Sequence, residues 1–376
     1  MSGKPSVAHT PIHAAAFCLT LLLLAASPAA AQPSGSRDIP VVRMPLAAWV
    51  ASRPHALPDT LANFETPPDR ITKFRALLQS LVARNWAQAA AQARSMNYLL
   101  VMIRDGGRTF VAASDDSQTG RDPTVIMNLI PRRDFIVGAP HVPFEPGTGE
   151  QAAIFLGDLA GRAAIIAGAH RCASRSFTAC DGTTDVCGGA AERFRDSDAG
   201  HNVTTLYHAA HVLLAARWPS SVVMSLHGMK EDTDGVRTSV IISNGISADD
   251  TKQTVATRFR TMLGRRITQP GAVVSCNLPA DAVHDFRRLC GFTNVQGRSV
   301  NGDANACRGN VDEGTGRFIH MEQDGSVLQP YAQGWRQIGR HAYNRAFISA
   351  LQRVLPSVRG RDNGRSGPTS SRRGRS

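Results

Sequence analysis

Asp134-Phe-Ile-Val-Gly-Ala-Pro-His141-Val-Pro-Phe-Glu145-Pro-Gly-Thr-Gly-Glu150 is the stretch that decides the fold. A short apolar run stops at a proline, a histidine and a glycine-rich turn. So short a run between turn signals reads as a buried strand. The pattern recurs twice. Ala163-Ala-Ile-Ile-Ala167 leads to His170, and Ser221-Val-Val-Met-Ser-Leu226 leads to His227-Gly228. Helical patterns lie between these runs, so the chain reads as an α/β domain of three layers around a mixed, mostly parallel sheet. Functional groups in such sheets collect at the carboxyl ends of the strands. His141, His170 and His227 each follow a strand end.

Outward from this core, Thr148-Gly-Glu-Gln151 reads as a capping box opening a helix to about Leu159. Asp198 to Trp218 and Thr251 to Leu263 read as helices, and Trp335 to Val354 as a closing helix. Val236 to Ile242, Gly271 to Ser275 and Arg317 to Met321 are further strands. Upstream, Phe74, Leu77, Leu78, Leu81 and Val82 recur at helical spacing within Pro68 to Met96. Asn97 to Ile103 and Arg108 to Ala112, joined through Arg104-Asp-Gly-Gly107, form a β-hairpin. The domain reading is a leader with helices and hairpin at 32–130, an α/β domain at 131–355, and a disordered basic tail at 356–376.

The first residues carry a secretory signal pattern. Lys4 precedes an apolar stretch, Ala14 to Ala26, too short to span a membrane, and Pro28-Ala-Ala-Ala31 offers a cleavage site. Residues 1–31 are set apart on that ground, and a secreted or periplasmic location is expected, with no transmembrane segment. Of seven cysteines, Cys18 lies in the signal. The six others form an even set in an exported chain, which predicts disulfides. A thiolate metal cluster of Cys172, Cys180 and Cys187 is the alternative, but their seven- and six-residue gaps fit no short metal knuckle. The formal charge is +12, of which the segment Ser357 to Ser376 supplies +5 from six arginines and one aspartate. The body is only mildly basic and poor in aromatics. That argues against a nucleic-acid partner and for a tail drawn to anionic surfaces.

The candidate chemistry is metal-assisted hydrolysis. Zinc takes three nitrogen and oxygen ligands and keeps a fourth position for water. His141, Glu145 and His227 supply such a set. A carboxylate ending a late strand, Glu322, can serve as general base. His170 and Arg171 stand where substrate would bind. Asn294, Arg298 and Arg308 lie in a Gly-rich region bounded by cysteines and could clamp a substrate carboxylate. His201, His208 and His211, on one predicted helix with Asp196 and Asp198 upstream, are a rival metal set. No G-x-S-x-G, Walker loop or H-E-x-x-H occurs, which removes the serine-hydrolase elbow, P-loop and zincin classes.

His141 through Glu150, His170 with Ser174, Ser225-Leu-His-Gly228 and Glu322 stand in the order seen in phage-type poly-γ-glutamate hydrolases. The chain resembles that family, whose members are zinc-dependent relatives of carboxypeptidase-like and N-formylglutamate amidohydrolase exopeptidases. The resemblance spans roughly 134 to 323. It implies a three-layer zinc-exopeptidase fold, His141, Glu145 and His227 as zinc ligands, and Glu322 as the base. The chain departs from the pattern in the His141–Glu145 step, where Val142 and Pro143 stand in place of glycines. The reading is therefore a secreted zinc-dependent amide hydrolase acting on a small or polymeric amide, with a carboxylate-bearing substrate implied. An exported binding protein on the same fold, or a cell-wall amidase held by the basic tail, are the rivals.

Overall fold

The structure, a computed structural model, describes residues 39–230, 238–249, 252–269, 271–281 and 289–358. The signal pattern at 1–31, the start of the strand expected from Val236, Thr251 and the tail beyond Val358 lie outside the described residues.

Twelve strands are described: β1 (Val41–Arg43), β2 (Tyr98–Asp105), β3 (Arg108–Asp115), β4 (Thr124–Asn128), β5 (Phe135–Ala139), β6 (Ala163–Ile166), β7 (Thr183–Thr184), β8 (Glu192–Arg193), β9 (Val222–Gly228), β10 (Val240–Ser243), β11 (Val273–Ser275) and β12 (Phe318–Gln323). Ten form one sheet in the order β1-β2-β3-β4-β6-β5-β9-β12-β10-β11, and β7 pairs with β8. The centre, β6-β5-β9-β12, is all parallel, while β2-β3, β3-β4, β4-β6 and β12-β10 run antiparallel. The fold class is thus the mixed α/β arrangement expected.

The helices are α1 (Leu46–Ala51), α2 (Pro68–Val82), α3 (Trp86–Ser95), α4 (Thr148–Asp158), α5 (Leu206–Arg217), α6 (Val255–Gly264), α7 (Val295–Val300), α8 (Gly325–Gly334) and α9 (Ala342–Val354). They cover both faces of the sheet. On β5, Phe135, Val137 and Ala139 pack in one core with side chains from α1, α4, α6 and α9. Ile136 packs in the other, with residues of α2, α3 and α5. The same alternation on β9 sends Val222, Met224 and Leu226 to the first core and Val223 to the second. Alternation is the pleat's period of two, and burial on both sides makes these strands apolar throughout.

Several expectations change. Strands β2 to β4 join the same sheet as β5, since β4 pairs with β6; the sheet is continuous across residue 130. Residues 41–51, within the leader and given no element by the sequence, hold edge strand β1 and α1. The closing helix expected over Trp335 to Val354 is two pieces, a tight turn over Trp335–Arg340 and α9, and α8 precedes it directly. The helix after His141 opens without a capping box. Its cap is Gly147 at φ 98°, and the Thr148 hydroxyl donates back to the Glu145 carbonyl at 2.8 Å. A side chain at Gly147 would meet the Leu328 carbonyl at 2.6 Å, so that position requires glycine. Residues 356–358, assigned to the tail, are held. Asp134 N donates to Pro356 O at 2.8 Å, and Val358 N to Arg132 O at 2.9 Å.

The three disulfides are Cys172–Cys187, Cys180–Cys307 and Cys276–Cys290. All six cysteines after Cys18 are therefore paired, and the thiolate cluster of Cys172, Cys180 and Cys187 is not formed. No helix among the described residues is long and apolar enough to cross a membrane.

Candidate metal centre

Four adjacent parallel strands deliver the site. His141 follows β5, His170 follows β6, His227 ends β9 and Glu322 ends β12. Register does much of the positioning. In the β9–β12 ladder Ser225 lies beside His320 and His227 beside Glu322. Because side chains alternate, these four share the face on which Val223 and Phe318 enter the core.

His141, Glu145 and His227 are each at most 5 % exposed, and their ligand-type atoms lie within 4.8 Å of one another. His141 Nδ1 is 2.9 Å from Glu145 Oε1, and His227 Nδ1 is 3.5 Å from Glu145 Oε2. The two imidazoles thus turn the same ring nitrogen toward one carboxylate. Their other nitrogens are held from outside: His141 Nε2 by Asp198 Oδ1 at 2.8 Å, and His227 Nε2 by the Ser225 hydroxyl at 3.0 Å. Metal-binding histidines are characteristically oriented in this way, by an outer partner on the second nitrogen. Glu145 Oε2 is buried and accepts no hydrogen bond among the described residues. An orphaned carboxylate oxygen facing two imidazoles fits a cation, so these residues could hold a metal ion.

A second trio, His141, Asp198 and His201, is also close enough to bind a metal. Its carboxylate is already occupied. Asp198 Oδ2 accepts from Arg171 Nε at 2.9 Å and Nη2 at 2.7 Å, while Oδ1 faces His141, His201 Nδ1 and the Gly200 amide. Both oxygens of Asp198 are spent on these partners, whereas Glu145 keeps one oxygen unpaired among the described residues, so Asp198 serves better as the outer partner of His141.

The charges explain the titration. Burial and the Arg171 cation oppose protonation of His141, but the Glu145 and Asp198 carboxylates outweigh them and raise its pKa to about 9. Burial raises the carboxyl of Glu145, yet the neighbouring imidazoles win and hold it well below its ordinary range. Asp198 is likewise held down, chiefly by Arg171. His227 stays neutral because burial lowers it to about 4. Near neutral pH the metal-free cluster therefore carries two buried carboxylates balanced by Arg171 and protonated His141.

His170 stands close by. Its Nδ1 accepts from Cys172 N at 3.0 Å, so when neutral it carries its proton on Nε2, and its ring meets Phe144 edge-on at 5.4 Å. Phe144 is 36 % exposed and lies under Arg171. Glu322 accepts from His320 Nε2 at 3.0 Å, and the His320 ring lies 4.4 Å from His227.

The remaining sequence candidates have structural employment. The Asn294 side chain caps α7 by accepting from Gly297 N at 2.8 Å. Arg298 is 1 % exposed and ion-pairs with Asp181. Arg308 donates to the Ala179 carbonyl at 3.3 Å. No contact among the described residues joins the three to His141. The rival helix set does not assemble. His201 lies before α5, stacked on Phe194 at 3.7 Å, whereas His208 and His211 are buried within α5. Arg171, a substrate-binding candidate from the sequence, instead braces Asp198, and the sequence offers Asp198 only as a neighbour of the rival helix set. Both lie in loops without periodicity, and His320 was seen only as part of a strand.

No family model matches the chain, and no curated protein matches it in sequence. Among solved structures it is similar to the N-formylglutamate amidohydrolase from Ralstonia eutropha JMP134. The match has a TM-score of 0.35 and 11 % identity over 62 % of this chain and 98 % of that one. A likeness that distant says nothing of what this chain does; the geometry of the centre has to carry that.

Proposed function

We propose that the chain is an exported, zinc-dependent amide hydrolase. The observation that carries this is the convergence of His141, Glu145 and His227 at the ends of parallel strands. Both imidazoles turn Nδ1 inward, and both outer nitrogens are engaged. Two imidazoles and one carboxylate are the donor set of hydrolytic zinc sites. When bound, zinc supplies a Lewis acid that polarises a carbonyl and makes water acidic near neutral pH.

The chain's own residues do the rest. Asp198 and Ser225 fix the two imidazoles. Glu322 Oε1 is engaged by His320, which leaves Oε2 to take the proton of the attacking water and return it to the leaving nitrogen. His170 offers its Nε2 proton to a substrate carbonyl beside Phe144. The three disulfides suit an oxidising compartment, and residues 1–31 have the pattern of an export signal. A γ-glutamyl or C-terminal amide is the first substrate class to test, because the motif order resembles that of poly-γ-glutamate hydrolases.

The test combines elemental analysis with turnover. The purified protein should hold about one zinc per chain, and His141→Ala and His227→Ala should each lose it. Glu322→Gln should keep the metal and lower kcat by about 10² to 10⁴. Stoichiometric zinc in both histidine variants overturns the ligand set. Parental turnover by Glu322→Gln overturns the base. A metal-loaded protein that cleaves no amide favours a binding protein on this fold.

A further inference from the structure

Glu322 has a partner that neither the motif order nor the metal set calls for. His320 lies two residues earlier on the same face of β12, is 3 % exposed, and places Nε2 3.0 Å from Glu322 Oε1. Its other nitrogen, Nδ1, is buried with no hydrogen-bond partner among the described residues. A neutral ring must put its single proton on one of the two nitrogens. On Nδ1 the proton would be a buried unsatisfied donor, and Nε2 would present a lone pair to a carboxylate oxygen. On Nε2 it makes the hydrogen bond. The surroundings therefore select one tautomer, with Nε2–H donating to Glu322 Oε1.

The ring is closely packed. His227 covers it at 4.4 Å between centroids. Gly291 also sits so close that a Cβ there would lie 2.6 Å from Nδ1 and 2.7 Å from Cγ. Gly291 is at φ +68° and follows Cys290, which is tied to Cys276. Backbone next to a disulfide and a metal-ligand candidate thus both crowd the imidazole.

We propose that His320 is a positioning residue for Glu322. Its Nε2–H holds Oε1, so that Oε2 stays directed at the water whose proton Glu322 takes. This rests on the reading of Glu322 as base. The tautomer and the hydrogen bond stand independently of it.

Two measurements on the purified full chain test this. The first needs no turnover. In protein labelled with ¹⁵N-histidine, the His320 ring, assigned by its loss in His320→Gln, should show its proton on Nε2. That proton should be protected from exchange and should lose its protection in Glu322→Leu. A proton on Nδ1, or protection unchanged in Glu322→Leu, overturns the hydrogen bond.

The second measurement is kinetic. His320→Phe keeps a ring and removes the donor. It should lower kcat roughly 10- to 100-fold, the scale of a misplaced reacting group, with KM and metal content unchanged. His320→Gln, which can place an amide N–H near the position of Nε2, should recover most of that loss. In a Glu322→Gln background, His320→Phe should cost nothing more, because two residues acting through one step are not additive. A further loss of tenfold in that background would mean that His320 acts by packing alone and would overturn the proposal. Should His320→Phe fail to fold, the parent's ring-proton measurement and the kcat of His320→Gln decide in its place. If Glu322→Gln itself turns over at the parent rate, the base reading fails, whatever the ring proton shows.

Discussion

Replacing Arg171 with methionine should unbalance the buried charge at the centre of this protein. Arg171 gives two hydrogen bonds to Asp198, lies 4.0 Å from Glu145, and is 9 % exposed against 1 % for Asp198. Methionine preserves much of the apolar stem but removes the cation. One buried carboxylate then has only the shared His141 proton to answer it. Removing one partner of a buried pair costs about 3 to 5 kcal/mol, because the remaining charge stays buried without compensation. At about 2 °C per kcal/mol for a chain of this size, Tm should fall by roughly 6 to 10 °C in metal-free buffer. The second half of the reasoning is the double variant. With Asp198→Asn added, no unpaired charge remains, so Arg171→Met/Asp198→Asn should be more stable than the sum of the single losses by at least 1 kcal/mol or so. The assay is thermal unfolding by circular dichroism in chelator, at one scan rate for all variants. A fall in Tm under 2 °C for Arg171→Met, or strictly additive losses in the double variant, would refute the charge-balance account.

Three other expectations follow from particular contacts. Cys180–Cys307 joins residues 127 apart and Cys276–Cys290 residues 14 apart. On loop-closure entropy the Cys180→Ala/Cys307→Ala pair should cost about 5 kcal/mol and the Cys276→Ala/Cys290→Ala pair about 3, read from denaturant midpoints. The reverse order would show that native packing outweighs chain entropy. His211 has no partner on either nitrogen, and burial lowers its pKa from 6.5 to about 3. The unfolded chain protonates this ring below 6.5 and the folded chain does not until about 3. Its contribution is therefore intact above pH 6.5 and lost as pH falls toward 3. His211→Leu should accordingly gain about 2 to 3 kcal/mol relative to the parent between pH 7 and pH 4.5; parallel stability profiles would sink the assignment. Truncation after Val358 should leave Tm unchanged. Truncation after Leu355 should lower it by a few degrees, because Pro356 and Val358 bond to residues 132–134; equal Tm values would show those bonds to be without consequence.

How much of this was legible in the sequence depends on the distance over which each interaction acts. Strands β5, β6 and β9 were readable because both of their faces are buried, so the sequence shows apolar runs ended by polar residues. His141 and His227 are legible for the same reason, as the first polar residues after such runs. β1 and β4 were missed. β1 is three residues at an edge, and Thr124 to Asn128 has only three apolar residues between polar ends. The arginine clamp misled because arginine serves equally in recognition and in structure. Only the fold brings Asp181 to Arg298 across 117 residues and makes that guanidinium a buried brace. The helical trio misled through a boundary. Thr205 accepts from His208 N and starts α5 there, so His201 falls outside the helix and turns to Asp198 instead. Asp198 shows where single-sequence reading stops. Its importance lies in a loop that reaches His141, 57 residues away, and no local pattern encodes such a contact. His320 sits between these cases. Its alternation with Glu322 places both on one face of one strand, so their proximity is local and readable. That one nitrogen finds the carboxylate while the other finds nothing depends on Gly291, which only the folded chain brings to it.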